Sequence, residues 1–191
     1  MMSATQLPLS EKSGFTRRSF LASMAVAGLG LVKVPRLLRA MEPARSLSFH
    51  HLHTGERLTT EYFAQGEYLP NALAQVNHVL RDWRTNEIHA MDPALLDLLN
   101  QLHKVSGSKH PFDVICGYRC PSTNAMLARN SEQVSPRSLH LKGQAIDIRL
   151  PDVPLARLRD LARGLRRGGV GYYPSPANNF VHVDTGRVRS W

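Results

Sequence analysis

The alternation of polar and apolar residues after residue 40 predicts that the chain folds first into a β-hairpin. Residues 47–63 alternate in this way around the polar tetrapeptide His53–Glu56. After Pro70 the apolar residues recur at helical spacing, which predicts a helix with a buried stripe. A second helix is predicted to begin at Asp92-Pro93, a capping residue followed by a first-turn proline, and to end at Gly107. The predicted inward residues are Leu73, Val76, Leu80 and Trp83 in the first helix, and Leu95, Leu98, Leu99 and Leu102 in the second.

The rest of the chain mixes short strands with helices. Strands are expected at residues 112–116, 144–150, 170–173 and 179–184, helices at residues 121–129 and 153–166, and a polar loop at residues 130–138. No internal repeat or low-complexity segment interrupts this pattern. We therefore expect a single α+β domain with an antiparallel or mixed sheet and flanking helices.

The first forty residues have the pattern of an export signal. Paired arginines, Arg17 and Arg18, stand directly before an apolar run at residues 20–32, which Lys33 closes. This run is shorter than the roughly 20 residues that a membrane-spanning helix needs. The pattern predicts a twin-arginine signal over residues 1–40, removed near Ala40 or Ala44, and a functional domain over residues 41–191. The alternative is a short buried helix.

Such a signal has consequences for location and partners. We expect the Tat translocase to be a transient partner during export and the mature protein to lie in the bacterial periplasm. No stable membrane anchor is expected to remain after processing.

The positive charge is concentrated in this leading segment. The chain carries a formal net charge of +9, and residues 1–40 hold six basic residues against one acid, which leaves +4 for the remainder. No dense Lys/Arg stripe is interleaved with aromatic residues, so we do not expect a nucleic acid partner. A mildly basic surface also fits an anionic polymer such as peptidoglycan.

The two cysteines, Cys116 and Cys120, carry little information on their own. They stand four residues apart and do not have the spacing of a zinc ribbon. A local disulfide after export and two separate, partly buried thiols are both compatible with this pattern.

Candidate metal-binding and catalytic residues are concentrated between residues 138 and 148 and in the last predicted strand. In the predicted strand, Ile146 and Ile148 share one face, whereas Asp147 lies on the other. Gly143 gives the backbone the freedom to turn, so that His140 can fold back beside Asp147. The last strand repeats this arrangement: Phe180, His182 and Asp184 share one face, and Val181 and Val183 share the opposite face.

Two imidazoles and one carboxylate suit a catalytic zinc ion, which takes three protein ligands and keeps one position for water. The candidate ligands are His140, Asp147 and His182. Alternatively, Asp147 caps a turn and the histidines satisfy local hydrogen bonds. The histidines His50, His51 and His53 are interpreted as the surface of the hairpin rather than as a metal site.

Several motifs resemble those of the zinc D-Ala-D-Ala peptidase superfamily, which also includes the hedgehog signalling domain. They are SLHLKGQAIDI at residues 138–148, NFVHVDTG at residues 179–186 and GYR at residues 117–119. Within that superfamily the chain is most similar to the murein endopeptidase K family, from residue 52 through GGVGYY at residues 168–173 to the last residue. The resemblance implies a hedgehog/DD-peptidase-like fold and a Zn²⁺ ion held by His140, Asp147 and His182.

The resemblance also implies a substrate. It is a peptidoglycan cross-link between stem peptides, of the D-Ala to diaminopimelate or the diaminopimelate to diaminopimelate kind. Carboxypeptidase action on an uncrosslinked stem remains open.

One position departs from the family pattern. Carboxypeptidase branches place a glutamate three residues before the last metal ligand as general base, whereas this chain has Asn179 there. An amide cannot accept the proton, so Asp184 is the candidate base, or else it orients His182. Arg119 is expected to hold a substrate carboxylate or to stabilise the oxyanion. Ser138 and Tyr173 are the other candidate substrate-binding residues.

Two rival functions use the same residues differently. A zinc-containing module that binds peptidoglycan or a partner without cutting it is compatible with the missing glutamate. A secreted metal-dependent phosphoesterase is the second rival, but such sites often bring two metals and more carboxylates than are found here.

Overall fold

The computed structural model describes residues 42–131, 134–176 and 178–191. The predicted export signal therefore lies outside the described residues. Strands and helices are mixed along the chain, as predicted. The strands are β1 (Arg45–His51), β2 (Arg57–Ala64), β3 (Glu67–Tyr68), β4 (Phe112–Cys116), β5 (Ala145–Arg149), β6 (Gly169–Tyr173), β7 (Phe180–Asp184) and β8 (Arg189–Ser190). The helices are α1 (Pro70–Val79), α2 (Pro93–Ser106), α3 (Pro121–Asn130) and α4 (Leu155–Leu165), and a 3₁₀ turn spans Leu139–Lys142.

All eight described strands form one mixed sheet in the order β3-β2-β1-β4-β5-β7-β6-β8. The pairs β1·β4 and β6·β8 are parallel, and the other neighbours are antiparallel. The predicted hairpin is confirmed as β1 and β2. The α+β fold with a mixed sheet and flanking helices is also confirmed.

Helices α1, α2 and α4 pack on the sheet and enclose the apolar core with it. Helix α1 packs on β2, α2 packs on β1 and α4, and α4 packs on β6 and β7. The strands direct their aliphatic residues into this core, including Ile146, Ile148, Val181 and Val183. The opposite faces of β5 and β7 are thereby left for polar side chains.

Helix α2 begins and ends as its sequence predicts. The Asp92 carboxylate accepts a hydrogen bond from the Ala94 amide at 2.9 Å, and Gly107 ends the helix in the left-handed conformation with φ of 71°. The four predicted inward leucines of this helix are buried.

Helix α1 ends earlier than its apolar spacing predicts. The Leu80 carbonyl accepts a hydrogen bond from the Tyr118 amide at 2.8 Å instead of continuing the helix. Trp83 therefore lies beyond the helix, where its ring stacks on His53 with the ring centroids 4.2 Å apart. The prediction that Trp83 belongs to the helical stripe is wrong for this reason.

The histidines of the hairpin are only partly at the surface. His53 is exposed and His50 is half-buried, but His51 is fully buried on the same face of β1 as Leu47 and Phe49. The prediction that these histidines form the hairpin surface is therefore wrong for His51, because strand alternation continues through it.

No helix among the described residues combines the length and the apolar character needed to cross a membrane.

Candidate metal centre

Strands β5 and β7 place Asp147 and His182 directly opposite each other. The two residues are partners in the antiparallel ladder, so their side chains share a face. The neighbouring pairs Ile146 with Val183 and Ile148 with Val181 point into the core. The predicted division of both strands into an aliphatic and a polar face is confirmed.

His140 reaches the same place from the 3₁₀ turn. The Ser138 hydroxyl caps the turn by accepting a hydrogen bond from the His140 amide at 3.4 Å. Gly143 ends the turn with φ of 63°, and a side chain there would overlap the Ala90 carbonyl oxygen. The chain therefore reverses at Gly143 and brings His140 back beside β5, as expected.

The three candidate ligand residues converge on one point. The distance between His140 Nε2 and His182 Nδ1 is 3.2 Å. Asp147 Oδ1 lies 2.9 Å from His182 Nδ1 and 3.3 Å from His140 Nε2. All three side chains are buried.

Each of the two imidazoles has an inner nitrogen, which faces the other candidate ligands, and an outer nitrogen, which faces away from them. The hydrogen bond made by the outer nitrogen assigns the tautomer of the ring. His140 Nδ1 donates to the Gly117 carbonyl oxygen at 2.7 Å, and His182 Nε2 donates to Asp184 Oδ2 at 3.0 Å. The inner nitrogens of the two rings are then the atoms that can offer lone pairs to a metal ion. These two nitrogens and a carboxylate oxygen of Asp147 face one another.

This donor set fits a divalent metal ion. Around a tetrahedral zinc with bond lengths near 2.0 Å, ligand atoms are about 3.3 Å apart, close to the separations observed here. An imidazole whose outer N–H is held by a carbonyl or carboxylate is also the usual arrangement of a metal-ligating histidine.

The pKa values reflect the same convergence of charge. Burial opposes ionisation of Asp147, but the imidazoles of His140 and His182 outweigh it and hold the pKa of that carboxyl well below its usual range. Burial opposes protonation of His140, but Asp147 outweighs it and raises the pKa of His140 to about 10. A proton and a metal ion would therefore compete for the same lone pairs, so that metal binding would release a proton.

Asp184 lies on the far side of the His182 ring from this point of convergence. Its fully buried carboxylate accepts hydrogen bonds from the amides of Gly169 at 3.0 Å and Gly186 at 2.8 Å. It also pairs with Arg189 at 2.7 Å, in addition to its bond with His182. These donors outweigh the burial and hold the pKa of Asp184 well below its usual range.

Arg119 and Cys116 lie beside the three donors. Arg119 Nη2 is 3.8 Å from Asp147 Oδ2 and 3.6 Å from Cys116 Sγ, and its Nη1 donates to Asn124 at 3.2 Å. The Cys116 sulfur, one His140 nitrogen and one Asp147 oxygen lie within 4.8 Å of one another. Burial opposes ionisation of the thiol, but His140 and Arg119 outweigh it and lower the pKa of Cys116.

The sequence interpretation did not include Cys116 in the site. Both cysteines are free and buried, so the structure has two separate thiols rather than a local disulfide.

A groove of roughly 530 Å³ opens over the three donors. The predicted substrate-binding residues Arg119, Ser138 and Tyr173 all line it. Phe180 and Trp191, which sequence reasoning missed, form an aromatic wall with Tyr173. In this wall Tyr173 stacks on Phe180 with centroids 4.6 Å apart and accepts a hydrogen bond from Trp191 Nε1 at 2.8 Å.

The fold and the groove together define an α+β domain with a buried His-Asp-His donor set, open to a ligand on one side. Residues 39–191 match the family model Peptidase_M15_2, described as "Peptidoglycan L,D-endopeptidase MepK". The chain belongs to this family.

Similar proteins span nearly the full length of the chain. The probable peptidoglycan L,D-endopeptidase MepK of Haemophilus influenzae is 42% identical over 179 residues, which cover 92% of this chain and 95% of that protein. The peptidoglycan L,D-endopeptidase MepK of Escherichia coli K12 is 40% identical over 183 residues, covering 95% of this chain and 100% of that protein.

A solved structure gives a weaker similarity. The crystal structure of Serratia marcescens L-Ala D-Glu endopeptidase ChiX aligns with a TM-score of 0.39 and 19% identity, over 60% of this chain and 87% of that chain.

Proposed function

We propose that this protein is a zinc-dependent peptidoglycan endopeptidase that hydrolyses cross-links between stem peptides. The observation that carries the proposal is the convergence of two imidazole lone pairs and one carboxylate oxygen at the floor of an open groove. Membership of a family described as L,D-endopeptidases favours the cross-link between two diaminopimelate residues as the bond that is cut.

The ligand atoms of the proposed ion are His140 Nε2, Asp147 Oδ1 and His182 Nδ1. Two imidazoles and a carboxylate form a donor set that zinc accepts in catalytic sites, with one position left open. When bound, such an ion polarises a carbonyl group and makes its bound water acidic enough to supply a nucleophile near neutral pH.

The chain's own residues prepare the donors for this ion. The Gly117 carbonyl and the Asp184 carboxylate hold the outer N–H groups of His140 and His182, so that the inner nitrogens keep their lone pairs. The position of Asp184, across the ring from the groove, and its full set of hydrogen-bond donors support the orienting role over the role of general base. A carboxylate with a lowered pKa is also a poor proton acceptor.

Arg119 is the proposed anchor for negative charge in the groove. Among the described residues, its buried Nε has no hydrogen-bond partner, and its side chain lines the groove. A fixed guanidinium beside the donors suits either the oxyanion that develops on the scissile carbonyl or a carboxylate of the substrate. Ser138 and Tyr173 are proposed to contact the peptide along the groove.

We further infer that the protein acts in the periplasm after export by the Tat translocase. This part rests on the twin-arginine pattern of residues 1–40 and on the peptidoglycan substrate, which lies outside the cytoplasm. The domain that acts there would comprise residues 41–191.

The test is a digest of purified protein with muropeptide dimers joined either by a diaminopimelate–diaminopimelate bond or by a D-Ala–diaminopimelate bond. Mass spectrometry should detect monomers mainly from the first dimer. The products should disappear with a chelator and return with added zinc. His140→Ala should abolish cleavage, whereas His78→Ala, at an exposed histidine of helix α1, should leave it intact.

Two other results of this digest would contradict the proposal. Cleavage that resists chelation would contradict the metal dependence. Intact dimers that still bind the protein would identify the rival, a zinc-containing module that grips peptidoglycan without cutting it.

A further inference from the structure

Strand β4 carries an irregularity where it approaches the metal centre. Along most of its ladder with β5, Asp113 pairs with Arg149 and Val114 pairs with Ile148, but the register then shifts so that Cys116 pairs with Asp147. Without this bulge, strand alternation would put Cys116 on the core face with Val114. A bulge that redirects a side chain is frequent beside active sites.

The redirected thiol interacts with His140, one of the candidate metal ligands. Cys116 Sγ is 3.7 Å from the Gly117 carbonyl oxygen and 3.6 Å from Arg119 Nη2, both weak contacts for sulfur. It does not belong to the apolar core cluster, although it is only 7% exposed.

The same sulfur lies close enough to two of the candidate donors to share a metal ion with them. Cys116 Sγ, a His140 nitrogen and an Asp147 oxygen all lie within 4.8 Å of one another. This group overlaps the set of His140, Asp147 and His182 in two residues. Two donor sets that share His140 and Asp147 thus meet at one place.

We propose that the Cys116 thiolate is a fourth protein ligand of this metal centre. The inference rests on the proposed metal site. Coordination transfers the thiol proton to solvent and forms a metal–sulfur bond, with no change in oxidation state. The resulting shell of three nitrogen or oxygen donors and one sulfur has no position for water, whereas the shell without Cys116 keeps one.

This ligand set has a chemical signature. Thiolate is a soft donor and favours thiophilic ions such as Cd²⁺ more than Mn²⁺ or Mg²⁺. The centre should therefore bind Cd²⁺ more tightly than a site of two histidines and one aspartate does. Hydrolysis at such a centre would require water to displace the sulfur or to add to the shell as a fifth ligand.

Cys120 provides a matched control. It is also buried and free, but its sulfur contacts the hydroxyls of Ser122 at 3.1 Å and Thr123 at 3.3 Å at the start of helix α3. It also belongs to the apolar core cluster. Its replacement should not affect the metal centre.

The experiment is a titration of metal-free, reduced protein with Co²⁺, followed by absorption spectroscopy. The native protein and Cys120→Ser should show the thiolate-to-cobalt charge-transfer band. Cys116→Ser should bind one Co²⁺ without this band, and its affinity for Cd²⁺ should fall about tenfold or more relative to its affinity for Zn²⁺. Cys116→Ala, checked for folding by circular dichroism, should behave in the same way.

The outcomes separate this inference from the proposed function. If the native protein binds Co²⁺ without a thiolate band, the role of Cys116 is overturned and the metal site stands. If it binds neither Co²⁺ nor Zn²⁺, the metal site falls as well. If Cys120→Ser loses the band and Cys116→Ser keeps it, the sulfur ligand has been assigned to the wrong residue.

Discussion

Asp184 is the residue on which the arrangement of the candidate site depends most. It connects the outer edge of His182 to Arg189 and to the amides of Gly169 and Gly186. A single carboxylate thus fixes the orientation of a candidate metal ligand and the start of β6. Because this network is buried and fully bonded, its loss should be felt first in metal binding.

We predict that Asp184→Asn weakens zinc binding by about 10- to 100-fold. The variant removes the negative charge that strengthens the hydrogen bond from His182, and it puts an amide NH₂ group among donors that need two acceptor oxygens. Competition with a chromophoric chelator measures this affinity. Asp160→Asn, at an exposed carboxylate paired with Arg159 on helix α4, should leave it unchanged.

The alternative role of Asp184 has a different signature. If Asp184 were the general base, Asp184→Asn would lower turnover by about 10²- to 10⁴-fold while zinc affinity stayed the same. Measurement of both quantities on the same preparation distinguishes the two roles.

At the residue scale, strand parity placed Asp147 and His182 correctly, because side chains alternate strictly along a strand. Their proposed role as ligands with His140 came from resemblance, since histidine and aspartate spacing alone is not specific. Cys116 was missed because a β-bulge moves its side chain to the opposite face of the sheet from the one that strand alternation predicts. The sequence of β4 gives no sign of this bulge. The far-side position of Asp184 depends on Arg189, for which the pattern of the chain contained no signal.

At the scale of elements, the two glycines at the start of β6 allow this strand to lie against the end of β7. A side chain on Gly168 would overlap the backbone carbonyl of Asp184, and one on Gly169 would overlap its carboxylate. Both overlaps involve groups that are held in place on several sides. The close approach of β6 to β7 therefore requires glycine here.

We predict that Gly168→Ala lowers the free energy of unfolding by about 2 kcal/mol or more, because the backbone of β7 must shift. Gly164→Ala is the matched control, since Gly164 lies in helix α4 with open space around it. That change should raise stability by about 0.5–1 kcal/mol. Urea unfolding of both variants measures the difference, and equal effects would contradict the proposed contact.

Most of the elements could be predicted, and the exceptions have identifiable causes. Helix α2 carries its own capping residue and terminal glycine, so both of its ends could be predicted. The end of α1 depends on a hydrogen bond from Tyr118, a residue distant in the chain. Strand β8 was missed because two residues are too few to show the alternation of polar and apolar side chains that is typical of a strand.

At the scale of the whole molecule, buried His51 makes stability depend on pH. Burial, with a smaller contribution from His53, lowers the pKa of His51 from 6.5 to about 4. Nearby Glu56 opposes this shift, and Arg81 adds to it. Between these two values the unfolded chain binds a proton on His51 that the folded chain does not, so stability falls as the pH falls.

We predict that the native protein loses about 2 kcal/mol of stability through His51 between pH 7 and pH 5, at about 1.4 kcal/mol per pKa unit. His51→Asn keeps an acceptor for the amides of His53 and Thr54 but does not titrate. Its loss over the same interval should be smaller by about that amount in urea unfolding. Parallel pH profiles for the two proteins would rule out this source of acid sensitivity.

The fold class could be predicted because segments with the two-residue repeat of strands are mixed with segments with the helical repeat of apolar residues. The order of the strands in the sheet could not be predicted in this way. Short strands that pair over long distances in the chain leave several orders open to the same pattern. Thus β1 lies parallel to β4, although helices α1 and α2 separate them in the chain.

The three candidate ligand residues come from one continuous stretch of chain, from His140 to His182. Strand β5 follows the first of them after a tight turn, and α4 with β6 makes the link to the last. Loop closure over such short spans costs less conformational entropy than joining the far ends of the chain. The half of the sheet that holds the candidate ligands can therefore form from local connections, without the amino-terminal hairpin.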